Sequence, residues 1–256
     1  MPTRLPPPIT YLSPMKALLL AAGLGTRLKP FTNNHPKALV PVQGKSVLEH
    51  NVRYLQRYGI TDVVVNVHHF ADQIIQAIHQ ADGWGSRIQI SDERAEVLET
   101  GGGLLFAEPL LRDSKGLITL NADILTDIDL NDLVDAHQKS QALITLAVTQ
   151  RKSTRGFLVD EHGWLCGWTN TSTGEQKIQR EATSYAFRAY SGIACYKPSV
   201  FQHIQRTGKF SLTDLFLDLA SEQRVHTVDY THHLHQWMDV GTPEKLAQAE
   251  QYWRSV

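Results

Sequence analysis

The chain has 256 residues, 42% of them hydrophobic and 20% charged, with a formal net charge of −1 at pH 7. Those proportions belong to a folded chain long enough to bury a large core, and they exclude a disordered segment or a protein that coats nucleic acid through a general positive field. Any anionic ligand must be met by local groups, and the two cysteines, Cys166 and Cys195, lack the spacing and density of a disulfide framework, so both are read as packing residues in a reducing compartment.

Residues 1–14 contain Pro2, Pro6, Pro7, Pro8 and Pro14 but no apolar signal region, which predicts a flexible proline-rich arm, with neither signal peptide nor anchor. No later stretch approaches the ~20 apolar residues of a membrane span, so a cytoplasmic location is expected. From Met15 onward, apolar runs alternate with helical periods. Strands are expected at 17–22, 62–67, 87–91, 117–121 and 143–148. Helices are expected at 47–58, 71–80, after Gly101 and at 130–139. That rhythm predicts an α/β fold, a doubly wound and mainly parallel sheet over roughly the first 150 residues. Shorter β-rich pieces follow at 157–160, 165–168 and 185–196, interrupted by a polar stretch at 169–181, and predict a small antiparallel appendage. Helices return at 198–205, 212–222 and 243–253, the last with Thr242 as N-cap and Pro243 in its first position. Residues 15–256 therefore read as one domain.

The most informative segment is the strand 18–22 running into Gly23, Leu24, Gly25, Thr26 and Arg27, followed by Pro36, Lys37, Ala38 and Leu39. Glycines at 23 and 25 let amides turn toward bound oxygens, Arg27 offers a planar fork for phosphate, and Lys37 a point charge. Gly-x-Gly alone is an ordinary turn; Thr-Arg and Pro-Lys make this one a polyphosphate site. A dinucleotide fingerprint would place glycine where Leu28 stands, and a Walker A loop would need Gly-Lys-Ser/Thr, absent here.

The run Leu-Leu-Ala-Ala-Gly-Leu-Gly-Thr-Arg at 19–27, with Pro36 to Leu39, resembles the signature of the sugar-1-phosphate nucleotidyltransferase family, and within it the bacterial uridylyl- and guanylyltransferases. The likeness continues through 44–49, 99–103, 121–123, 191–192 and 237–242. It implies a Rossmann-like nucleotide-diphospho-sugar transferase fold with a nucleotide-binding half at 15–150 and a sugar-binding, closing half at 151–256. It also implies a reaction of a nucleoside triphosphate, UTP or GTP foremost, with a sugar 1-phosphate. By that resemblance Arg27 and Lys37 act in catalysis on the phosphates, while Ala22, Gly23, Gly25, Thr26, Glu99, Thr100 and Gly101 bind the nucleotide, the amides at the glycine run receiving an anion or a base edge. Asn121, Ser191 and Gly192 face the sugar. Asp123 and Asp239, each expected at a strand end, hold Mg²⁺, a cation that takes one or two carboxylates and completes its octahedron with substrate phosphates. Asp127, Asp129 and Asp132 are read as turn and cap residues.

One departure stands out. Where many family members carry Glu-Lys-Pro, this chain has Thr169, Asn170 and Thr171, so a lysine on the sugar phosphate is missing or replaced by Lys177 or Arg180. The histidines, among them His68, His69, His226, His232, His233 and His235, lack a zinc-binding spacing, and the aromatic residues lack the basic interleaving of a nucleic-acid surface. Rival readings are a phosphocholine-type cytidylyltransferase, which would need an aromatic or acidic cage, a regulatory nucleotide-binding module and a dinucleotide oxidoreductase. Oligomeric state is not legible.

Overall fold

The computed structural model describes residues 15–233 and 235–253, so the arm expected at 1–14 lies outside the described residues. In chain order the elements are β1 (Met15–Leu20), β2 (Pro41–Val42), β3 (Lys45–Ser46), α1 (Val47–Gln56), β4 (Asp62–Val67), α2 (Ala71–Gln80), β5 (Arg87–Asp92), α3 (Glu99–Phe106) and α4 (Glu108–Leu111). They continue with β6 (Gly116–Asn121), β7 (Ile124–Thr126), α5 (Leu130–Ser140), β8 (Ile144–Thr149), β9 (Arg155–Val159), β10 (Leu165–Asn170), β11 (Glu175–Ile178) and β12 (Ala186–Tyr196). The last are α6 (Leu212–Ala220), β13 (Val225–Asp229), β14 (Trp237–Asp239) and α7 (Pro243–Tyr252).

Strands β6, β1, β4 and β5 lie side by side in parallel, as the alternation of apolar runs and helical periods requires. Being covered on both faces, β6, β1 and β4 are mostly apolar, whereas β5 at the edge alternates and is half exposed. Leu19, Val63 and Val65 face α1, α2 and α5, while Leu18, Val64 and Leu117 face α3, α4 and α6. Each large side chain removed from water this way contributes about 1.5–3 kcal/mol before the cost of ordering the chain.

The antiparallel part is less separate than its sequence suggests. The long strand β12 pairs with β6 at its C-terminal end and with β9 at its N-terminal end, so β9, β10 and β11 extend the central sheet to ten strands. The polar stretch expected to be a loop contains β11, whose four residues are all exposed and which, among the described residues, pairs only with β10. The helical period at 198–205 is a short 3-10 helix, Pro198–His203.

Helix starts follow local chemistry. The Ser46 hydroxyl accepts the Glu49 amide at 3.1 Å, Asp129 caps α5, Ser211 and Asp214 form a reciprocal capping box on α6, and Thr242 caps α7 ahead of Pro243. A third apolar cluster, including Leu28, Val40, Leu125, Val240, Ala249 and Trp253, clamps α7 and the two-stranded sheet of β7 and β14 onto the segment after β1. Both cysteines are buried free thiols, as their packing role predicts. Among the described residues no helix is long and apolar enough to cross a membrane.

Candidate active site

Parallel pairing aligns Leu20 at the end of β1 with Asn66 on β4 and with Asn121 on β6. These three residues line one cavity of about 340 Å³ at the C-terminal edge of the sheet, together with Ala22, Gly23, Lys37, Glu99, Thr100 and Asp123. Ligands of open α/β sheets bind at this edge.

Beyond β1 the chain turns through Gly25, which has φ +64°, and a Cβ there would stand 2.8 Å from the Thr32 methyl. The Thr32 hydroxyl donates to the Gly25 carbonyl at 2.8 Å and fixes the turn. The amides of Gly23, Leu24 and Gly25 donate to no group among the described residues, and nothing lies within 4 Å of a Cβ at Gly23. Gly23 and Leu24 line the cavity, so unpaired N–H groups of the kind that receive an anion stand at its wall. Thr26 and Arg27 begin the following 3-10 turn and are exposed.

Tertiary folding gathers the four charged candidates. The Lys37 Nζ lies 2.5 Å from the Asp123 Oδ2. Strand β14 pairs with β7 so that Asp239 faces Ile124, and the Val240 amide donates to the Asp123 carbonyl at 3.0 Å. A Cβ built on Gly241 would stand 2.7 Å from the Asp239 Oδ1, 3.4 Å from the Lys37 Nζ and 3.5 Å from an Arg27 guanidinium nitrogen. Glycine at 241 therefore leaves room for Arg27, Lys37 and Asp239 to converge. Burial pushes the Asp239 carboxyl upward, but the Lys245 ammonium and Gly241 amide bonded to it, with the charges of Lys245 and Lys37, outweigh that and hold it below the usual range. Asp239 is thus a hard anionic donor. Among the described residues no three His, Cys, Asp or Glu side chains converge, so a cation here would draw its other ligands from substrate and water. The Asp127 carboxylate accepts the Gln236 amide and Asp129 accepts Asn131, both structural roles.

The glycine run corrects one expectation. Helix α3 begins at Glu99, ahead of the run, and the amides of Gly101 and Gly102 both donate to the Phe210 carbonyl, at 2.9 and 3.0 Å. They are not available to an anion. The glycines are buried because a Cβ at 101 would strike the Phe210 ring, at 102 the Gly208 carbonyl and at 103 Asn66 and Glu93. Gly101 does not line the cavity, whereas Glu99, held at φ +61°, and Thr100 do. Even so, the Thr100 hydroxyl accepts the Leu212 amide at 2.9 Å.

In the segment expected to face the sugar, Gly192 has φ +78° and brings its backbone against Asn121, so that a Cβ at 192 would stand 3.1 Å from the Asn121 amide nitrogen. Ser191 is fully buried, with its carbonyl accepting the Trp237 indole N–H at 2.8 Å, so it supports the wall from behind. Of the two candidates for the missing lysine, Arg180 is committed to Asp160 at 2.5 Å, while Lys177 lies across from Trp168 in the strand register and lines a second cavity.

Two further residues had little sequence signal. Asn66, 2% exposed inside the run Asp-Val-Val-Val-Asn-Val, accepts the Ala21 and Ala22 amides at 2.6 and 3.3 Å and donates to Glu93 at 2.9 Å. Lys245, in the first turn of α7, pairs with Asp239. A lone polar residue inside an apolar strand is the one clue that could have marked Asn66.

The sequence pattern of nucleotidyl transferases matches residues 16–255. The chain is 34% identical to an N-acetylmuramate alpha-1-phosphate uridylyltransferase of Caulobacter vibrioides over 93% of its own length and 96% of that protein's. It is 30% identical to mannose-1-phosphate guanyltransferase beta-A of Xenopus laevis over 90% of its length and 62% of that longer chain. The fold matches HddC from Yersinia pseudotuberculosis, solved with GMP-PN, with a TM-score of 0.73 at 19% identity, covering 93% of this chain and 99% of that one. The chain belongs to the nucleotidyl transferase family. It is a sugar-1-phosphate nucleotidyltransferase, joining a nucleoside triphosphate to a sugar 1-phosphate.

Proposed function

We propose that this enzyme uses UTP or GTP, with Arg27 and Lys37 as its catalytic cations and Asp123 and Asp239 as ligands of Mg²⁺. The observation that carries the assignment is the convergence of Arg27, Lys37 and Asp239 around Gly241, beside the Asp123 that ion-pairs with Lys37. The free amides at 23–25 take the β- and γ-phosphates, with Arg27 beside them. Ala22 and Asn66 face the nucleoside, with Glu99 and Thr100 opposite, and Asn121 and Gly192 border the sugar.

An oxygen of the sugar phosphate attacks the α-phosphorus, the bond to the β-phosphate oxygen breaks, and pyrophosphate leaves. The attacking group is already ionised near neutrality, so no general base is needed; a phosphate monoester has its second pKa near 6. The residues position two anions and neutralise their charge. Lys37 spans the attacking and transferred phosphates, and Arg27 stabilises the leaving pyrophosphate. The pair Asp123 and Asp239 fits a divalent cation, which when bound supplies charge neutralisation to the phosphates.

The names of the Caulobacter and Xenopus relatives support UTP or GTP as the donor. A cytoplasmic location and a role in supplying precursors of cell-wall or surface polysaccharide accord with such an activity, and so does a single catalytic domain over 15–256. A choline-type acceptor is disfavoured because the indole faces nearby already carry protein cations: Arg151 lies 4.1 Å over Trp237 and Lys177 5.6 Å over Trp168. The test is a matrix of four triphosphates against sugar 1-phosphates and phosphocholine, read by pyrophosphate release. Turnover with UTP or GTP and a sugar 1-phosphate is expected. Turnover confined to CTP with phosphocholine would overturn the reading.

A further inference from the structure

A buried polar pair, Asn66 and Glu93, links the turn after β1 to helix α3. Ala21 to Leu24 line the catalytic cavity, as do Glu99 and Thr100 at the start of α3, and Asn66 lines it with them. Asn66 and Glu93 are each 2% exposed. The Asn66 Oδ1 accepts the Ala21 and Ala22 amides at 2.6 and 3.3 Å, and its Nδ2 donates to the Glu93 Oε1 at 2.9 Å. Glu93 is itself fixed by its backbone, the amide donating to the Val67 carbonyl and the carbonyl accepting from the His68 ring, both at 2.8 Å. Helix α3 leaves space for the pair at one residue. A Cβ on Gly103 would stand 2.7 Å from the Asn66 Nδ2 and 2.7 Å from the Glu93 Oε1, closer than such contacts come, and Gly103 is not among the residues of positive φ. Glycine is needed there for room and not for backbone conformation.

The chemistry of the pair gives it a direction. An asparagine amide has nearly the same shape either way round, but only one orientation turns its oxygen to the Ala21 and Ala22 N–H groups; reversed, it would set donors against donors. Glu93 removes that ambiguity, because its Oε1 accepts from Nδ2 whether the carboxyl is ionised or protonated on its other oxygen. The first two amides after β1 are thereby taken up by the protein. Those of Gly23, Leu24 and Gly25 have no partner among the described residues, so the protein-bound and the open amides divide between residues 22 and 23. Losing the Asn66 acceptor would leave two amides unpaired at the base of the turn and let it move.

We infer that Asn66 is a positioning residue for the nucleoside triphosphate: oriented by Glu93, it holds Ala21 and Ala22 so that the open amides at 23–25 meet the phosphates in place, and Gly103 leaves the room this requires. The inference rests on the reading above in which the turn after β1 receives the triphosphate. A turn that grips the substrate and the transition state alike governs binding more than chemistry, so its displacement falls on the triphosphate KM before kcat.

The experiment is steady-state pyrophosphate release with each substrate varied in turn, below the Tm of every variant. Asn66→Asp is nearly isosteric but sets an oxygen against the Glu93 Oε1. It should raise the triphosphate KM about 10- to 100-fold, the range for a buried polar group left unpaired, with kcat and the sugar 1-phosphate KM within about threefold of wild type. Combining it with Glu93→Gln puts a donor opposite an acceptor again, with one acidic group as in the native pair, and should recover most of that loss. Gly103→Ala keeps both side chains but crowds them; it should raise the same KM severalfold, and it carries the test if Asn66→Asp does not fold. A triphosphate KM unchanged in Asn66→Asp or in Gly103→Ala, a rise that the exchange does not relieve, or an equal rise for both substrates would overturn the inference while leaving nucleotidyl transfer intact. Absence of wild-type turnover with every triphosphate and sugar 1-phosphate would instead overturn the reading it rests on.

Discussion

Replacing Lys37 by alanine separates catalysis from folding. The ammonium is 2.5 Å from the Asp123 carboxylate, and the two side chains are 11% and 37% exposed. The turn that carries Lys37 is held by its backbone, through Leu39 N–H to the Pro36 carbonyl at 3.0 Å and Val40 N–H to the Lys37 carbonyl at 3.1 Å, neither of which needs the side chain. With its partner more than a third exposed, the ion pair is worth about 0.2–1 kcal/mol. Since 1 kcal/mol moves Tm by about 2–4 °C in a chain of this size, the melting temperature should fall by no more than about 4 °C. If, as proposed, the same ammonium faces the transferred phosphoryl group in the transition state, loss of that one preorganised charge should cost about 2.7–4 kcal/mol, or 10²- to 10³-fold in kcat. Lys37→Arg should recover only part of this, because a planar fork does not occupy the place of a compact ammonium between Asp123 and Gly241. Steady-state kinetics and thermal unfolding of both variants check the argument. A wild-type kcat in Lys37→Ala at unchanged Tm would refute the catalytic role, and a Tm loss above about 10 °C would show that the residue chiefly supports the fold.

Asp123→Asn and Asp239→Asn should each lower kcat at least about 100-fold at saturating Mg²⁺, and chelation should abolish wild-type turnover; pyrophosphate release at graded metal concentrations is the readout. Because the Asp239 carboxyl is held below its ordinary 3.8, its stabilising contribution is present at neutral pH and is lost as pH falls through the lowered value; acid unfolding of Asp239→Asn should lack that component. Glu93, 2% exposed with one oxygen unpartnered, has its carboxyl raised by burial, only partly opposed by Asn66 and His68. Its protonated form is favoured on folding, so stability falls as pH rises above the ordinary 4.5. Glu93→Gln should flatten the decline in Tm as pH rises above 4.5, and parallel profiles would count against this. Gly102→Ala forces a Cβ into the Gly208 carbonyl and should cost about 1–3 kcal/mol, seen as a Tm drop of several degrees without a change in metal dependence.

Much of the front of the molecule is legible in the sequence because its signals are local. Strand β4 and helix α2 fall where alternation and period place them, since burial on both sheet faces or on one helix face imprints itself residue by residue. The cap of α7 by Thr242 and Pro243 is equally readable. The glycine run at 101–103 misleads because glycine reports only that a Cβ is not tolerated; whether an anion or the Phe210 ring fills the space depends on where α6 lands. Strand β11 escapes the pattern because an exposed edge strand carries no apolar alternation, only a partner in β10.

The sequence by itself determined the alternating layers and the glycine turn after β1, and it singled out Arg27, Lys37, Asp123 and Asp239 as candidates. What tertiary structure alone decided is their meeting: Lys37 and Asp123 are 86 positions apart, and Asp239 reaches them through the short pairing of β14 with β7. It also placed Arg151 on Trp237 and turned Lys177 toward the second cavity. The physical reason is range. Periodicity and capping are set by neighbours along the chain, whereas contacts across the sheet depend on register and packing summed over the whole core.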